Sequence, residues 1–313
     1  MQPGGRLLLL IICLHYILFL NLNAQKSFTS IQVKIFDEKN EITGARVRFT
    51  DLEGKFYAPV GARADFPIIN TTVPQSKEEG LILDNDRKFN YSTGDFKILL
   101  PQEKITLEVV KGFRYTIYQD TIDISQMSSF LEIHLEEAYK QPEENWYAGD
   151  VHVHFIDPET AMLQMQSEDL QICNLLISDF TVDHDRFRGS IEPISDKEHL
   201  IYYGQEYRED RLGHINLLNI KSKLIEPAAS PRRQHYPLNI QASDAVHQDN
   251  GHVSWAHFAA WPGLEGPLGL VLKKIDAVEL LCTIDPFQEP IFASDVVPAL
   301  PVNSGLDLYY RLL

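Results

Sequence analysis

The sequence predicts two folded units in series: a small antiparallel β-sandwich, then an α/β domain built on a mainly parallel sheet or barrel. Three observations carry this. Between Ser27 and Glu137 apolar residues recur with period two, the mark of half-buried strands. A polar stretch, Glu136 to Asn145 with Pro142, then interrupts the pattern and places a boundary. From Trp146 onward apolar strand-like runs alternate with helix-like segments, a texture whose ligands gather at the carboxyl ends of the strands.

The chain has 313 residues, enough for one or two domains. Its start reads as an export signal, with Arg6 as a weak basic region, Leu7 to Leu20 as an apolar region, and Ala24 as the small residue before an expected cleavage. Residues 1–24 are thus a signal peptide, 25–140 the sandwich and 145–313 the second domain. The apolar run is shorter than the about 20 residues of a bilayer span, so no stable membrane span is expected after cleavage. An uncleaved anchor is the alternative. The mature protein is expected to be secreted or periplasmic. Cys13 leaves with the signal, while Cys173 and Cys282 sit in apolar runs that read as core rather than as a disulfide framework. A formal charge of -16 and a pI near 5.1 exclude a nucleic-acid partner, which needs clustered Lys and Arg.

Within the sandwich, Ile31, Val33 and Ile35 alternate with polar residues, as do Val47 and Phe49, then Leu131, Ile133 and Leu135. Turns are signalled at Asp51-Leu52-Glu53-Gly54, Thr93-Gly94-Asp95 and Lys111-Gly112. Asn70-Thr71-Thr72 and Asn90-Tyr91-Ser92 fit the glycosylation tripeptide, which arises often by chance. In the second domain, strands are predicted over Tyr147 to Phe155, Asn174 to Ile177, Ile215 to Ile220, Val253 to His257 and Ala277 to Leu281. A helix is predicted from Pro158 to Cys173, because Pro158 suits a first turn, Glu159 faces the positive dipole end, and Met162, Met165, Leu170 and Cys173 recur at helical spacing. The two Met residues read as packing filler.

Chemistry enters at Gly149-Asp150-Val151-His152-Val153-His154. Side chains alternate along a strand, so His152 and His154 share a face and both imidazoles can reach one ion. Two solvated or core-satisfied histidines are the plain alternative. Further on come Gly204-Gln205-Glu206, Gly213-His214-Ile215-Asn216 and Trp255-Ala256-His257, which add a carboxylate and two imidazoles at or near strand ends. Taken singly, Glu206 reads as a solvated charge beside Arg208 to Arg211, and His214 and His257 as hydrogen-bonded core histidines. A mixed His/carboxylate set suits zinc, manganese or iron better than calcium or magnesium.

The order Gly-Asp-x-His-x-His, Gly-x-Glu, Gly-His, Ala-His resembles the polymerase-and-histidinol-phosphatase (PHP) superfamily of metallohydrolases. Trp146 to His154, Gly204 to Asn219, Trp255 to Gly263 and Asp276 to Leu281 look like its carbaryl-hydrolase-like branch. The resemblance covers roughly the second half of the chain. It implies a distorted (β/α)7 barrel holding one to three divalent ions, with His152, His154, Glu206, His214 and His257 as ligands and Glu206 bridging if two ions are present. It also implies a water activated by the ions, so that no nucleophilic side chain is needed, consistent with the lack of a Gly-x-Ser-x-Gly elbow.

Two departures stand out. An early Thr-Asp-His of many members is here Ser178-Asp179-Phe180, with His184 displaced onward; Asp157 could take the place of an early aspartate or simply start a helix. A late Asp-bearing motif is also expected, yet the sequence stops at Tyr309-Tyr310-Arg311-Leu312-Leu313, which reads as the middle of an element, so an incomplete barrel is expected. Phe96-Lys97-Ile98-Leu99-Leu100-Pro101 and Val109-Val110-Lys111-Gly112-Phe113 resemble small carboxypeptidase-regulatory-like sandwiches, whose plainest role is support or docking. The functional expectation is an exported metal-dependent hydrolase of a small-molecule phosphate, carbamate or carboxylic ester. The alternative is a non-catalytic exported binding protein with a degenerate barrel. Substrate and oligomeric state are not legible, since specificity lies in loops.

Overall fold

In the computed structural model, residues 27–62, 81–83, 87–140, 146–154, 156–178, 184–209, 211–222, 225, 237–257 and 263–279 are described. The signal, Cys13, Asn70-Thr71-Thr72, Asp179, Phe180, Cys282 and the run from 280 to Leu313 lie outside them. The period-two residues become strands: β1 (Phe28–Phe36), β2 (Ala45–Asp51), β3 (Phe56–Tyr57), β4 (Leu81–Leu83), β5 (Arg87–Ser92), β6 (Asp95–Pro101), β7 (Lys104–Val110), β8 (Tyr118–Asp123) and β9 (Phe130–His134). Among the described residues, β6-β1-β9 form one sheet and β4-β5-β2-β7-β8 a second, with β3 paired to β2. Ile31, Val33 and Ile35 of β1 are fully buried and share one core with Ile98, Leu100 and Ile133 of their own sheet and with Val47, Phe49, Ile105 and Leu107 of the other. The two sheets thus bury one shared hydrophobic core between them. Asn90 of the second tripeptide is buried within β5, away from any surface where a glycan could be attached.

The second unit is built from β10 (Gly149–Val153), α1 (Pro158–Glu168), β11 (Ile172–Ile177), β12 (Leu200–Glu209), β13 (Gly213–Leu218), α2 (Asn239–Gln248), β14 (His252–Trp255), α3 (Gly266–Val271) and β15 (Ala277–Val278). Among the described residues the strands form one sheet in the order β10-β11-β12-β13-β14-β15. It is mixed, with three parallel ladders and two antiparallel ones. The β10/β11, β11/β12 and β14/β15 ladders are parallel, whereas β12/β13 and β13/β14 are antiparallel. The reason at β12/β13 is chain length, because the few residues between Glu209 and Gly213 allow a hairpin but no crossover. A seven-stranded ring is not present among the described residues. No helix among them is long and apolar enough to cross a membrane.

The helix expected to reach Cys173 ends at Glu168. Asp169 takes a left-handed conformation (φ 59°) as its C-cap, and the chain enters β11 at Ile172, two residues before the predicted start. Cys173 is therefore a strand residue, buried with Met162, Met165, Leu175, Ile177, Ile201 and Tyr203. Burial, with a smaller push from Asp150, raises its thiol to about 12. α2 was not anticipated from its polar sequence, and β14 stops at Trp255 because His257 turns left-handed (φ 34°).

Two outcomes follow from this packing. Gly94 has φ 89° and a Cβ there would lie 2.1 Å from the Thr43 carbonyl oxygen, whereas Gly54 has φ 87° with open space around it. Urea denaturation should show Gly54→Ala losing about 1 kcal/mol and Gly94→Ala at least about 2 kcal/mol, the difference being the steric clash. Peptide mapping after iodoacetamide should find Cys173 unmodified in the native protein and alkylated once urea is added.

Candidate metal centre

Five side chains named from sequence converge at one edge of the mixed sheet. His152 is on β10 and His154 just beyond it, Glu206 is on β12, His214 on β13, and His257 follows β14. These side chains thus lie toward the carboxyl ends of β10, β12 and β14, and at the amino end of antiparallel β13, which is the same edge. Glu206 pairs across the hairpin with Asn216, and Arg208 with His214, so these four side chains share one face. A register slip in β10 between Asp150 and Val153 spans Val151 and His152, the local irregularity by which sheets re-aim a side chain.

Two groups meet the geometry of an ion site, His152/His154/Glu206 and Glu206/His214/His257, with Glu206 common to both. His152 Nε2 lies 3.0 Å from His154 Nε2, and His154 Nε2 lies 3.2 Å from Glu206 Oε2. On the other side, His214 Nδ1 is 3.1 Å from both Glu206 Oε1 and His257 Nε2. A tetrahedral ion with bonds of about 2.0–2.1 Å spaces its ligands roughly 3.3 Å apart. These residues could therefore hold a metal ion.

Hydrogen bonding sharpens the fit. His154 Nδ1 sits 2.9 Å from the Leu176 carbonyl oxygen, which can only accept, so Nδ1 carries a proton and, in the neutral ring, Nε2 presents a lone pair. His152 Nδ1 lies 3.0 Å from Glu279 Oε1 and 3.1 Å from Oε2, which fixes the same tautomer in the neutral ring. Two nitrogen lone pairs and a carboxylate then face one another with no proton of their own to share. A cation resolves that repulsion, and outer partners of this kind are how proteins orient metal-binding imidazoles. Without an ion, burial opposes a protonated His152, but the hydrogen bond and charge of Glu279 and the charge of Glu206 outweigh it and raise its pKa. Burial likewise works against the Glu206 carboxylate; in the ion-free site it is held far below the usual range by His154, His214 and His257 only when these rings carry a proton on the nitrogen facing it, a role a bound cation would take over.

Glu279 was missed as a functional residue. It lies in the Asp276 to Leu281 run, but nothing in its neighbourhood distinguishes it from a solvated strand-end charge. In the fold it is buried, accepts from the His257 backbone N–H at 2.7 Å and from Asn216 Nδ2, and holds His152. It therefore links the first and last strands of the sheet order. Ser178 donates to Glu206 Oε2 at 3.3 Å, and the Nε of Arg208, a third exposed, lies 3.6 Å from the same oxygen. Asp157 serves as the N-cap of α1, accepting from Thr160 N at 2.7 Å, which is the helix-starting alternative. His184 begins a short 3-10 turn, and its side chain lies outside the description. Comparison of the chain with protein-family models, curated proteins and solved structures finds no match.

Because Glu206 belongs to both groups, Glu206→Ala should remove metal from both, whereas His257→Ala should spare the His152/His154 side. Elemental analysis after zinc loading should therefore read a larger deficit for Glu206→Ala than for His257→Ala; equal retention of wild-type metal by both would refute the assignment.

Proposed function

We propose that this protein is an exported, metal-dependent hydrolase of the PHP type, acting on a small-molecule phosphate, carbamate or carboxylic ester with one to three zinc, manganese or iron ions. The observation that carries the reading is the convergence of His152 Nε2, His154 Nε2 and the Glu206 carboxylate, with the neutral rings turned so that their lone pairs face inward, and of a second group in which His214 and His257 share the same carboxylate. Imidazole with carboxylate is the donor set of catalytic zinc, manganese and iron centres. Such an ion, when bound, supplies Lewis acidity to a water and to the substrate oxygen.

The chain's own residues do the positioning. Glu206, common to both groups, would be shared if two ions are bound, and Ser178 donates to one of its oxygens. Glu279 and the Leu176 carbonyl hold the rings of His152 and His154 so that their Nε2 atoms face inward. Arg208, on the same strand face and partly open to solvent, brings a fixed positive charge to the mouth, where it can orient an anionic or carbonyl oxygen. Export is supported by the apolar Leu7 to Leu20 run that ends near Ala24.

A panel of phosphate, carbamate and carboxylic esters should reveal turnover in zinc-, manganese- or iron-loaded protein that a chelator abolishes and fresh ion restores. His152→Ala/His154→Ala should lower metal content and reduce kcat/KM by at least about a thousandfold. Full metal loading without turnover of any ester would favour the non-catalytic binding protein, and unchanged metal content in the double variant would sink the ligand assignment.

A further inference from the structure

The carboxyl end of α1 is seated in the sandwich. Lys111, buried just after β7, donates from Nζ to the carbonyl oxygens of Gln166 at 2.5 Å and Gly44 at 3.2 Å. Arg114 forks onto Asp169, with Nε to Oδ2 at 2.6 Å and Nη2 to Oδ1 at 3.3 Å, and its Nη1 reaches Glu137 at 2.9 Å. Arg46 of β2 pairs with Glu168 at 2.6 Å, and Ser167 Oγ donates to the Ser92 carbonyl oxygen at 3.2 Å. Three cations thus meet the negative end of a helix dipole. The approach is close: a Cβ on Gly112 would lie 2.4 Å from the Glu168 carbonyl oxygen.

That same helix is joined to both ends of the ligand strand. Its N-cap Asp157 comes three residues after His154. Just past its C-cap, Gln171 and Ala148 bond reciprocally: Ala148 N donates to Gln171 Oε1 at 2.8 Å, and Gln171 N donates to the Ala148 carbonyl oxygen at 2.8 Å. Among the described residues β10 stands at one end of the sheet order, paired through a single ladder with β11 that is irregular between Asp150 and Val153. Edge strands with broken ladders open at low free energy unless something outside the ladder restrains them.

We propose that the sandwich is a clamp for the metal site: by gripping the carboxyl end of α1 it fixes the strand that carries His152 and His154. The inference rests on reading those histidines as metal ligands. A sandwich acting as an independent binding module would need only its linker. Here a buried ammonium, a bidentate Arg fork and the Arg46–Glu168 ion pair all converge on one helix end.

The test uses the full chain and two readouts. Arg114→Gln, Lys111→Met and Arg46→Glu are compared with wild type, and Arg46→Glu is also combined with Glu168→Arg to restore the pair in reverse. In metal-free protein, hydrogen exchange of the β10 amides should quicken about tenfold or more in the single variants and return toward wild type in the reversed pair. Zinc affinity, read by competition with a chromophoric chelator, should weaken about ten- to a hundredfold and recover in the same way. Variants that keep wild-type circular dichroism and show unchanged β10 exchange overturn the clamp. If a single variant does not fold, the reversed pair decides, because recovery of folding without recovery of slow β10 exchange also overturns it. Faster exchange in protein whose wild type takes up no zinc sustains the clamp and instead defeats the metal reading.

Discussion

A carboxylate taken out of water loses several kcal/mol of hydration, and it stays charged only where donors or cations replace that water. Glu206 is such a group, almost fully buried on β12 with imidazoles on either side. Its Oε2 lies nearest His154, while Oε1 faces His214 and His257, with His152 Nε2 3.6 Å away. Everything else in the second domain can be read as the means of delivering those rings to one carboxylate. β10 brings His152 and His154, the hairpin brings Glu206 and His214 on one face, and the left-handed turn after β14 brings His257 back toward them.

The sheet alone does not close the site. Its first and last strands, β10 and β15, stand at opposite ends of the hydrogen-bonded order, yet His152 and Glu279 are in direct contact. The sheet must therefore curl around the centre, and Glu279 ties the curl by bonding one residue from β10, one from β13 and one backbone amide after β14. The same bond that fixes the His152 tautomer restrains the sheet, so ring orientation and sheet curvature are coupled. This couples ligand chemistry to fold in a way that a single-strand motif cannot.

Some of this was legible in the sequence. Alternation in a strand is dictated by the backbone, so Ile31, Val33 and Ile35 announced a core, and His152 and His154 announced a shared face. The order of the four motifs named Glu206, His214 and His257, which the fold brings into the same two groups that could hold a metal ion. β12 was less legible because both of its faces are largely buried, which removes the alternation, and its end at Arg208-Glu209 mimics a solvated charge run. Strand direction was not legible either. Alternation is the same for parallel and antiparallel neighbours, and only the short link before Gly213 marks the hairpin. The end of α1 was misplaced because Leu170 and Cys173 continue a helical spacing, while the left-handed turn at Asp169, a residue that tolerates it better than most, leaves little trace in composition.

The seam between the domains was not legible at all, and for a more general reason. Arg46, Lys111 and Arg114 sit on or beside sandwich strands where a charged residue ordinarily points to solvent. Two of the groups they meet are carbonyl oxygens, which every residue carries and no sequence pattern advertises. The polar linker at 136–145 suggested two independent units, because composition records what the chain does between domains and not how the domains touch. Since burial pushes Lys111 toward its neutral form, its ammonium is tolerable only while the carbonyls and the nearby charges of Asp169 and Glu168 remain in place. Separating the two units would leave that ammonium without its helix-end partner, so the cost of undocking falls on the same helix that connects to the ligand strand.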